Sequence, residues 1–263
     1  MKTLISTDST KTTAGDDDLI IGLIKGLRVI ESFDDNSQRQ TVTEVARRTG
    51  LSRAAARRQL LTLQHGGYAI SDGRVFWLTP RVLRLGQAYL TSARLPKLVL
   101  PFLHRLTQIT QESANFAVLD GHEVVYIART PSPRMMSSSF RVGTRAAAHA
   151  VTGGRMLLSA FTPDELDGWL NDHAFHAFTP ATAVDPEVLR LEISEAGRAG
   201  YAVTDQQLEV GVRGLSVLVR NRKGEPVGAL GLTMPLHHGP QDEAVRLCLP
   251  ALREAQNQLR DLI

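Results

Sequence analysis

The chain has 263 residues, of which 43% are apolar and 22% charged, with a formal net charge of +3 and one cysteine. That length suits two domains, each large enough to bury a core, and the apolar share excludes bulk disorder. Cys248 alone cannot close an internal disulfide, and no apolar run approaches the roughly 20 residues that cross a bilayer. The N-terminus also lacks an apolar stretch followed by a small-residue cleavage site, so the expectation is a soluble cytoplasmic protein with no membrane partner.

The charge is uneven. Residues 20–92 carry 11 Lys/Arg against 5 Asp/Glu, whereas residues 93–263 carry 17 against 18. A basic segment beside a near-neutral remainder points to a polyanion met by the first part only.

In chain order, residues 1–18 are rich in Ser, Thr and Asp without periodicity and read as a flexible arm. "DLIIGLIKGLRVIESF" sets Ile20, Leu23, Ile24, Leu27 and Ile30 on one helical face. "TVTEVARRTG" reads as a short helix, with Thr41 or Thr43 as its N-cap and Gly50 as its left-handed stop. Ser52 caps a third helix that runs to about His65 and ends at Gly66-Gly67. The strands "YAIS" and "RVFWL" follow, joined by the two-residue hairpin turn Asp72-Gly73. Helix, short helix, tight turn, helix and hairpin make a winged helix-turn-helix over residues 19–79. "TPRVLRLGQAYLTSARL" reads as a linker helix, residues 80–95, with Pro96 and Pro101 punctuating the start of the second domain.

Residues 96–263 alternate. A helix at 97–111 precedes the strands "ANFAVLD" and "EVVYIART", and then an irregular stretch, "PSPRMMSSSFRVGTR". Helices are expected over "VTGGRMLLSAF", 163–171 and 186–199, followed by strands "YAVTD", "GLSVLVRN" and "PVGALGLTM". An amphipathic helix closes the chain at 241–262, with Ala244, Leu247, Cys248, Ala251, Leu252, Ala255 and Leu259 inward. Mixed strands flanked by helices indicate an α+β domain rather than a doubly wound parallel sheet.

The third helix carries the chemistry. Ala56, Leu60 and Leu63 share its inner face, whereas Ala54, Arg57 and Arg58 project away and Arg53 sits near the edge. Small residues let a backbone enter a major groove about 12 Å wide, and arginine forks suit guanine edges and phosphates. The DNA-binding set is Thr43, Ser52, Arg53, Ala54, Arg57, Arg58 and Arg74. Arg74 at the wing tip is expected on phosphates, together with Arg47 and Arg48.

"TVTEVARRTGLSRAAARRQLLTLQHGGYAI" with "FWLTPRVLRLGQAYL" resembles the DNA-binding half of the IclR family of bacterial transcription regulators. "RVGTRAAAHAVTGGRMLLSA" and "AGRAGYAVTDQQLEVGVRGLSVLVRN" follow the order of that family's second domain, so the resemblance spans nearly the whole chain. Within the family, "GLSRAAARR", "LTPRVLRLG" and "RVGTR" are most similar to regulators of aromatic-acid breakdown by the protocatechuate and β-ketoadipate route. The resemblance implies a GAF-like α/β effector-binding and oligomerisation domain, a homodimer or dimer of dimers, a palindromic double-stranded DNA operator and a small organic acid effector. It implies no cofactor.

The effector is expected between the sheet and the helix that begins near Gly153. Thr152, Gly153 and Gly154 would supply the helix N-terminus, where unsatisfied N–H groups favour an anion. Asp205, Gly214, Ser216, Gly231 and Thr233 are strand positions able to face the same cavity. Arg141 and Arg145 suit either an acidic ligand or surface ion pairs. The chain departs from the aromatic-acid subgroup at Val151-Thr152-Gly153-Gly154 and Gly214-Leu215-Ser216-Val217-Leu218, where the subgroup carries Thr-Ser-Met-Gly and Ser-Ile-Ala-Val-Pro.

An enzyme acting on a small acid is the rival class. Neither a G-x-S-x-G elbow, a G-x-x-x-x-G-K-[ST] loop nor a dinucleotide glycine fingerprint occurs. His173 and His176 share a helical face without an acidic or cysteine partner at ligand spacing, and read as an exposed polar turn. His237-His238 reads as a loop and Cys248 as core, so neither catalysis nor a metal is expected.

Overall fold

A computed structural model describes residues 19–132 and 141–263, so the expected arm and most of the irregular stretch after Pro131 lie outside the described residues. Two compact units emerge, one ending at Ser92 and the other running from Ala93 to Ile263.

The first unit contains α1 (Ile21–Glu31), α2 (Val42–Thr49), α3 (Arg53–His65), β1 (Ala69–Ser71), β2 (Phe76–Leu78), a 3₁₀ turn (Pro80–Val82) and α4 (Leu83–Ser92). Thr41, not Thr43, caps α2. Its hydroxyl accepts from the Glu44 backbone N–H while the Glu44 carboxylate accepts from the Thr41 N–H at 2.7 Å, a reciprocal capping box. Gly50 ends α2 at φ +70°, and Ser52 caps α3 by accepting from the Ala55 N–H. Val29, Val45, Ala46, Ala56, Leu60 and Phe76 form the core, and a bridge between Gln40 and Phe76 ties the hairpin to the helices.

One expectation fails here. The hairpin is not closed by a two-residue turn: Ser71 pairs with Phe76, leaving a four-residue loop. The Asp72 carboxylate accepts from the Arg74 and Val75 N–H groups, which stabilises the longer loop from within. The apolar stripe of α1 is left largely exposed by its own unit. Ile20, Leu23, Ile24 and Leu27 are exposed and only Val29, off that stripe, reaches the core.

The second unit contains α5 (Arg94–Thr110), β3 (Ser113–Asp120), β4 (Glu123–Thr130), β5 (Arg145–Ala147), α6 (Thr152–Leu158), α7 (Pro163–Asn171), α8 (Pro186–Ala199), β6 (Ala202–Asp205), β7 (Val212–Arg220), β8 (Pro226–Pro235) and α9 (Gln241–Arg260). The strands form one antiparallel sheet in the order β5-β4-β3-β8-β7-β6. On one face, Phe116, Leu215, Val217 and Leu230 pack with Leu103 of α5 and Leu252 of α9. On the other, Ala117, Tyr126, Leu218 and Ala229 pack with Leu157 of α6, Trp169 of α7 and Ile193 of α8.

Pro96 and Pro101 do not punctuate the chain. Pro96 falls in the first turn of α5, where its missing N–H has no intrahelical partner to lose, and α5 continues past the exposed Pro101. Strand β5 was not foreseen, its first residue Arg145 falling in the irregular stretch and Ala146-Ala147 in no expected element; pairing with Glu123–Val125 of β4 makes it a strand. Leu247 is exposed rather than inward. The buried stripe of α9 runs through Cys248, Leu252, Ala255 and Leu259, one residue out of phase with it.

Helix α6 approaches the sheet and its preceding turn very closely. A Cβ on Gly154 would stand 2.1 Å from the Ala148 carbonyl oxygen, whereas one on Gly168 of α7 would meet nothing within 4 Å. Gly154→Ala is therefore expected to lower unfolding free energy by about 1–3 kcal/mol through overpacking. Gly168→Ala should raise it by up to about 1 kcal/mol, the helix-propensity gain. Denaturant titration of the two variants measures both.

Candidate functional site: nucleic-acid interface and ligand recess

In the first unit, Ser52, Arg53, Ala54, Arg57 and Arg58 all lie on the exposed side of α3, opposite buried Ala56 and Leu60. Among the described residues, no carboxylate or other partner engages the side chains of Arg53, Arg57 or Arg58. Thr43 is exposed in the first turn of α2, and Arg74 is exposed in the wing loop. Arg47 is also exposed, but Arg48 is committed within the domain, pairing with Asp34 and donating to Ser37 Oγ. At the hairpin base, Arg39 stacks over Trp77 at 4.3 Å. A helix with three uncompensated guanidinium groups around a small-residue edge has the shape and field for a nucleic-acid groove.

In the second unit, a small recess of about 40 Å³ opens between the sheet and the start of α6. Its wall comprises Tyr126, Ala150, Val151, Thr152, Thr204, Gln207, Leu208, Glu209, Val212, Gly214 and Thr233. That is far below the roughly 300–1,000 Å³ of ligand pockets, so an organic acid enters only where the wall gives way. Thr152, Gly214 and Thr233 of the expected set meet there. Gly214 leaves space that Thr152 occupies, since a Cβ at 214 would stand 2.8 Å from Thr152 Oγ1. Gly231 and Ser216 pair one step farther along the strands, and neither belongs to the recess wall. Ser216 is fully buried and its hydroxyl has no hydrogen-bond partner among the described residues.

Three expected residues face elsewhere. Gly153 lies over Ala117 and Ala229 of the sheet at ordinary contact distance, and Gly154 against the Ala148 backbone of the preceding turn, where no Cβ fits. Asp205 forms a two-pronged ion pair with buried Arg213 at 2.6 and 2.8 Å, which holds that guanidinium firmly protonated. Arg145 is likewise taken by Asp120 and Glu123, while Arg141 is exposed.

Tyr126 and Gln207 were not foreseen. Alternation along "EVVYIART" would have put Tyr126 with Val124 on the α6 face. Burial pushes its phenol up to about 12, so it stays protonated. Gln207 sits in a loop without periodicity, and its position depends on Arg155 of α6. That residue is 4% exposed and donates to the His149 carbonyl at 3.0 Å and to Gln207 Oε1 at 3.1 Å, while pairing with Glu192 at 2.8 Å.

The segment after α7 is not a helical face. His173 stacks on His122 with centroids 4.3 Å apart, His122 meets Trp169, and Phe175 packs against both Trp169 and the buried His149. Both His173 and His176 are exposed in a non-helical turn, as expected; the His173 ring stacks on His122, and the His176 backbone carbonyl meets the His149 ring at 3.1 Å. Among the described residues, no group of three or more His, Cys, Asp or Glu side chains is arranged to hold a metal ion. Cys248 is buried, and its thiol is pushed up to about 11 by that burial. No described helix is long and apolar enough to cross a membrane.

A winged helix-turn-helix bearing unpaired arginines, in one chain with an α/β domain holding a polar recess, defines a DNA-binding regulator. The chain belongs to the IclR family of transcription regulators: residues 22–73 match the IclR helix-turn-helix domain, and residues 87–260 match the bacterial transcriptional regulator IclR C-terminal domain. It is 36% identical to the p-hydroxybenzoate hydroxylase transcriptional activator of Acinetobacter baylyi over 252 residues, which cover 94% of this chain and 93% of that one. It is 37% identical to the Pca regulon regulatory protein of Pseudomonas putida over 246 residues, covering 93% and 84%. An IclR homolog from Microbacterium hydrocarbonoxydans, solved with 4-hydroxybenzoate, superposes with a TM-score of 0.70 at 28% identity over 91% of this chain and 99% of that one.

Burial holds His149 below the ordinary histidine pKa, and burial followed by the charge of His173 does the same to His122. Below about pH 6.5 the unfolded chain binds protons that the folded one resists, so stability falls as pH drops through that value. Unfolding midpoints should therefore decline between about pH 7.5 and 6, and His149→Gln should flatten that decline; an unchanged slope in the variant would remove His149 as its source.

Proposed function

We propose that this regulator reads a palindromic operator as a homodimer, or a dimer of dimers, in the cytoplasm. A small aromatic acid held in the recess of the second unit controls it. The absence of any partner among the described residues for Arg53, Arg57 and Arg58 on exposed α3 carries the DNA assignment. In the proposed interface Ser52, Arg53, Ala54, Arg57 and Arg58 meet the major groove, while Thr43 and Arg74 meet the backbone. A 4-hydroxybenzoate complex of a structural neighbour supports the ligand class, as does regulation of p-hydroxybenzoate hydroxylase by a relative.

In the recess, the hydroxyl of Thr152 and the wall residues Gly214 and Thr233 receive the acid. Gly153 and Gly154 bring α6 down to form that wall, and Gly231 leaves room beside the unpartnered hydroxyl of Ser216. Asp205 contributes by fixing Arg213 on β7. Ligand binding rather than turnover is the proposed role, and no cofactor is required.

Operator affinity, measured by fluorescence anisotropy, should fall steeply with salt. Arg57→Ala should weaken it roughly ten- to a hundredfold, the worth of a good bidentate base contact. Ligand-induced thermal stabilisation by 4-hydroxybenzoate should persist in that variant. If the Arg53, Arg57 and Arg58 triple alanine variant still retards operator DNA, α3 is not the reading helix.

The exposed stripe Ile20, Leu23, Ile24 and Leu27 supports pairing through α1, because an apolar face that its own unit leaves bare gains burial against a second copy. Leu23→Glu with Leu27→Glu should shift the sedimentation coefficient toward a smaller species and weaken operator binding. An unchanged oligomer would place the pairing surface elsewhere.

A further inference from the structure

We infer that Gln207 is a donor to the ligand's carboxylate, with its amide turned toward the recess by the buried Arg155. The inference rests on the acid-binding reading of the recess given above. A glutamine amide has one accepting oxygen and one donating NH₂, and at ordinary accuracy only its hydrogen-bond partners tell them apart. Here the partners decide it. The Gln207 oxygen accepts from Arg155 Nη2 at 3.1 Å and from the Ala183 backbone N–H at 2.7 Å. Both partners are obligate donors, so a flipped amide would set N–H against N–H twice.

The oxygen is therefore held on the side of α6 and the 179–184 loop. That loop is pinned to the same segment, since Thr182 Oγ1 donates to the Gln207 carbonyl and Thr179 Oγ1 to the Gln206 carbonyl, both at 2.5 Å. Gln207 Nε2 is left with no hydrogen-bond partner among the described residues, on a side chain that lines the recess. The hydroxyls of Thr152 and Thr204, on the same wall, are likewise unengaged there.

The recess thus offers neutral donors, and no Lys or Arg lines it. The ligand group that fits is one that only accepts: a carboxylate, in preference to its isosteric carboxamide. Arg155 acts as a positioning residue, setting through Gln207 which group the site prefers. Glu209 also lines the recess but is exposed, so water screens its repulsion of an anion.

The test uses the full chain and two probes, 4-hydroxybenzoate and 4-hydroxybenzamide, with calorimetric Kd values. The wild type should prefer the carboxylate by at least about tenfold, the worth of a hydrogen bond to a charged group. Gln207→Glu keeps an acceptor for Arg155 and Ala183 but has no donor to give, and it should lose carboxylate affinity by a similar factor or more. Arg155→Lys, which cannot fork between three acceptors, should narrow the carboxylate-to-carboxamide ratio even where the unfolding midpoint is retained. Equal wild-type affinity for both probes would overturn the assignment without requiring any variant. So would undiminished carboxylate binding by Gln207→Glu. A wild type that binds neither probe would overturn the acid-binding reading and the Gln207 assignment together, whereas the first two results would overturn the latter alone.

Discussion

Helix α6 packs directly against the turn that precedes it because its third residue has no side chain. Gly153 lies over Ala117 and Ala229, and Gly154 over the Ala148 carbonyl, where no Cβ fits. The rest of the second unit follows from that approach. It draws Thr152 down onto Gly214 and so defines one wall of the recess. It also carries Arg155, one position farther along, into an interior where an ion is costly unless every N–H finds an acceptor. His149 and Gln207 supply acceptors from the preceding turn and the β6–β7 loop, and Glu192 of α8 supplies the opposing charge. One guanidinium thereby ties three separate pieces of chain to the helix beside the recess. Burial makes its charge somewhat less favourable, but the Glu192 carboxylate acts in the opposite sense.

The first unit satisfies its charges differently. Arg48 is paired with Asp34 and Arg39 is stacked on Trp77, so these cations serve the domain itself. Arg53, Arg57 and Arg58 on α3 meet no partner among the described residues. The same contrast holds for apolar surface: Val29 completes a small core, while Leu23, Ile24 and Leu27 of α1 remain exposed. Unspent charge on one helix and unspent apolar surface on another are what a small domain shows when DNA and a second copy complete it.

How much of this was legible in the sequence varied with the range of the forces involved. Helices α7 and α8 were delimited from sequence because their caps are local: Thr162 with Glu165, Asp185 with the following N–H groups, and Gly200 at φ +72°. The antiparallel strands were legible through alternation and the glycine-containing turns between them. Strand β5 was not, since Arg-Ala-Ala is a strand only because β4 lies beside it. The four-residue wing loop escaped notice because a side chain, Asp72, overrode the preference of an Asp-Gly pair. Leu247 failed for a geometric reason, since neighbours on a helix lie about 100° apart and one residue of phase error turns an inward side chain outward.

The sites divide along the same line. The exposed edge of α3 was readable because a helix wheel needs no knowledge of other elements. At the recess, Thr152, Gly214 and Thr233 were reached through the resemblance to a family, whereas Gln207 was invisible. Nothing in "TDQQLEVGVRG" distinguishes one glutamine from the next. What separates them is a hydrogen bond to Arg155, 52 positions earlier in the chain, and one to Ala183, 24 positions earlier. Asp205 shows the converse. An acidic residue on a strand facing a cavity suggests ligand chemistry until Arg213, opposite it in the β6–β7 register, claims both of its oxygens. A polar residue near a recess is therefore free to meet a ligand only to the extent that its neighbours have not already used it, and that accounting needs the three-dimensional partners.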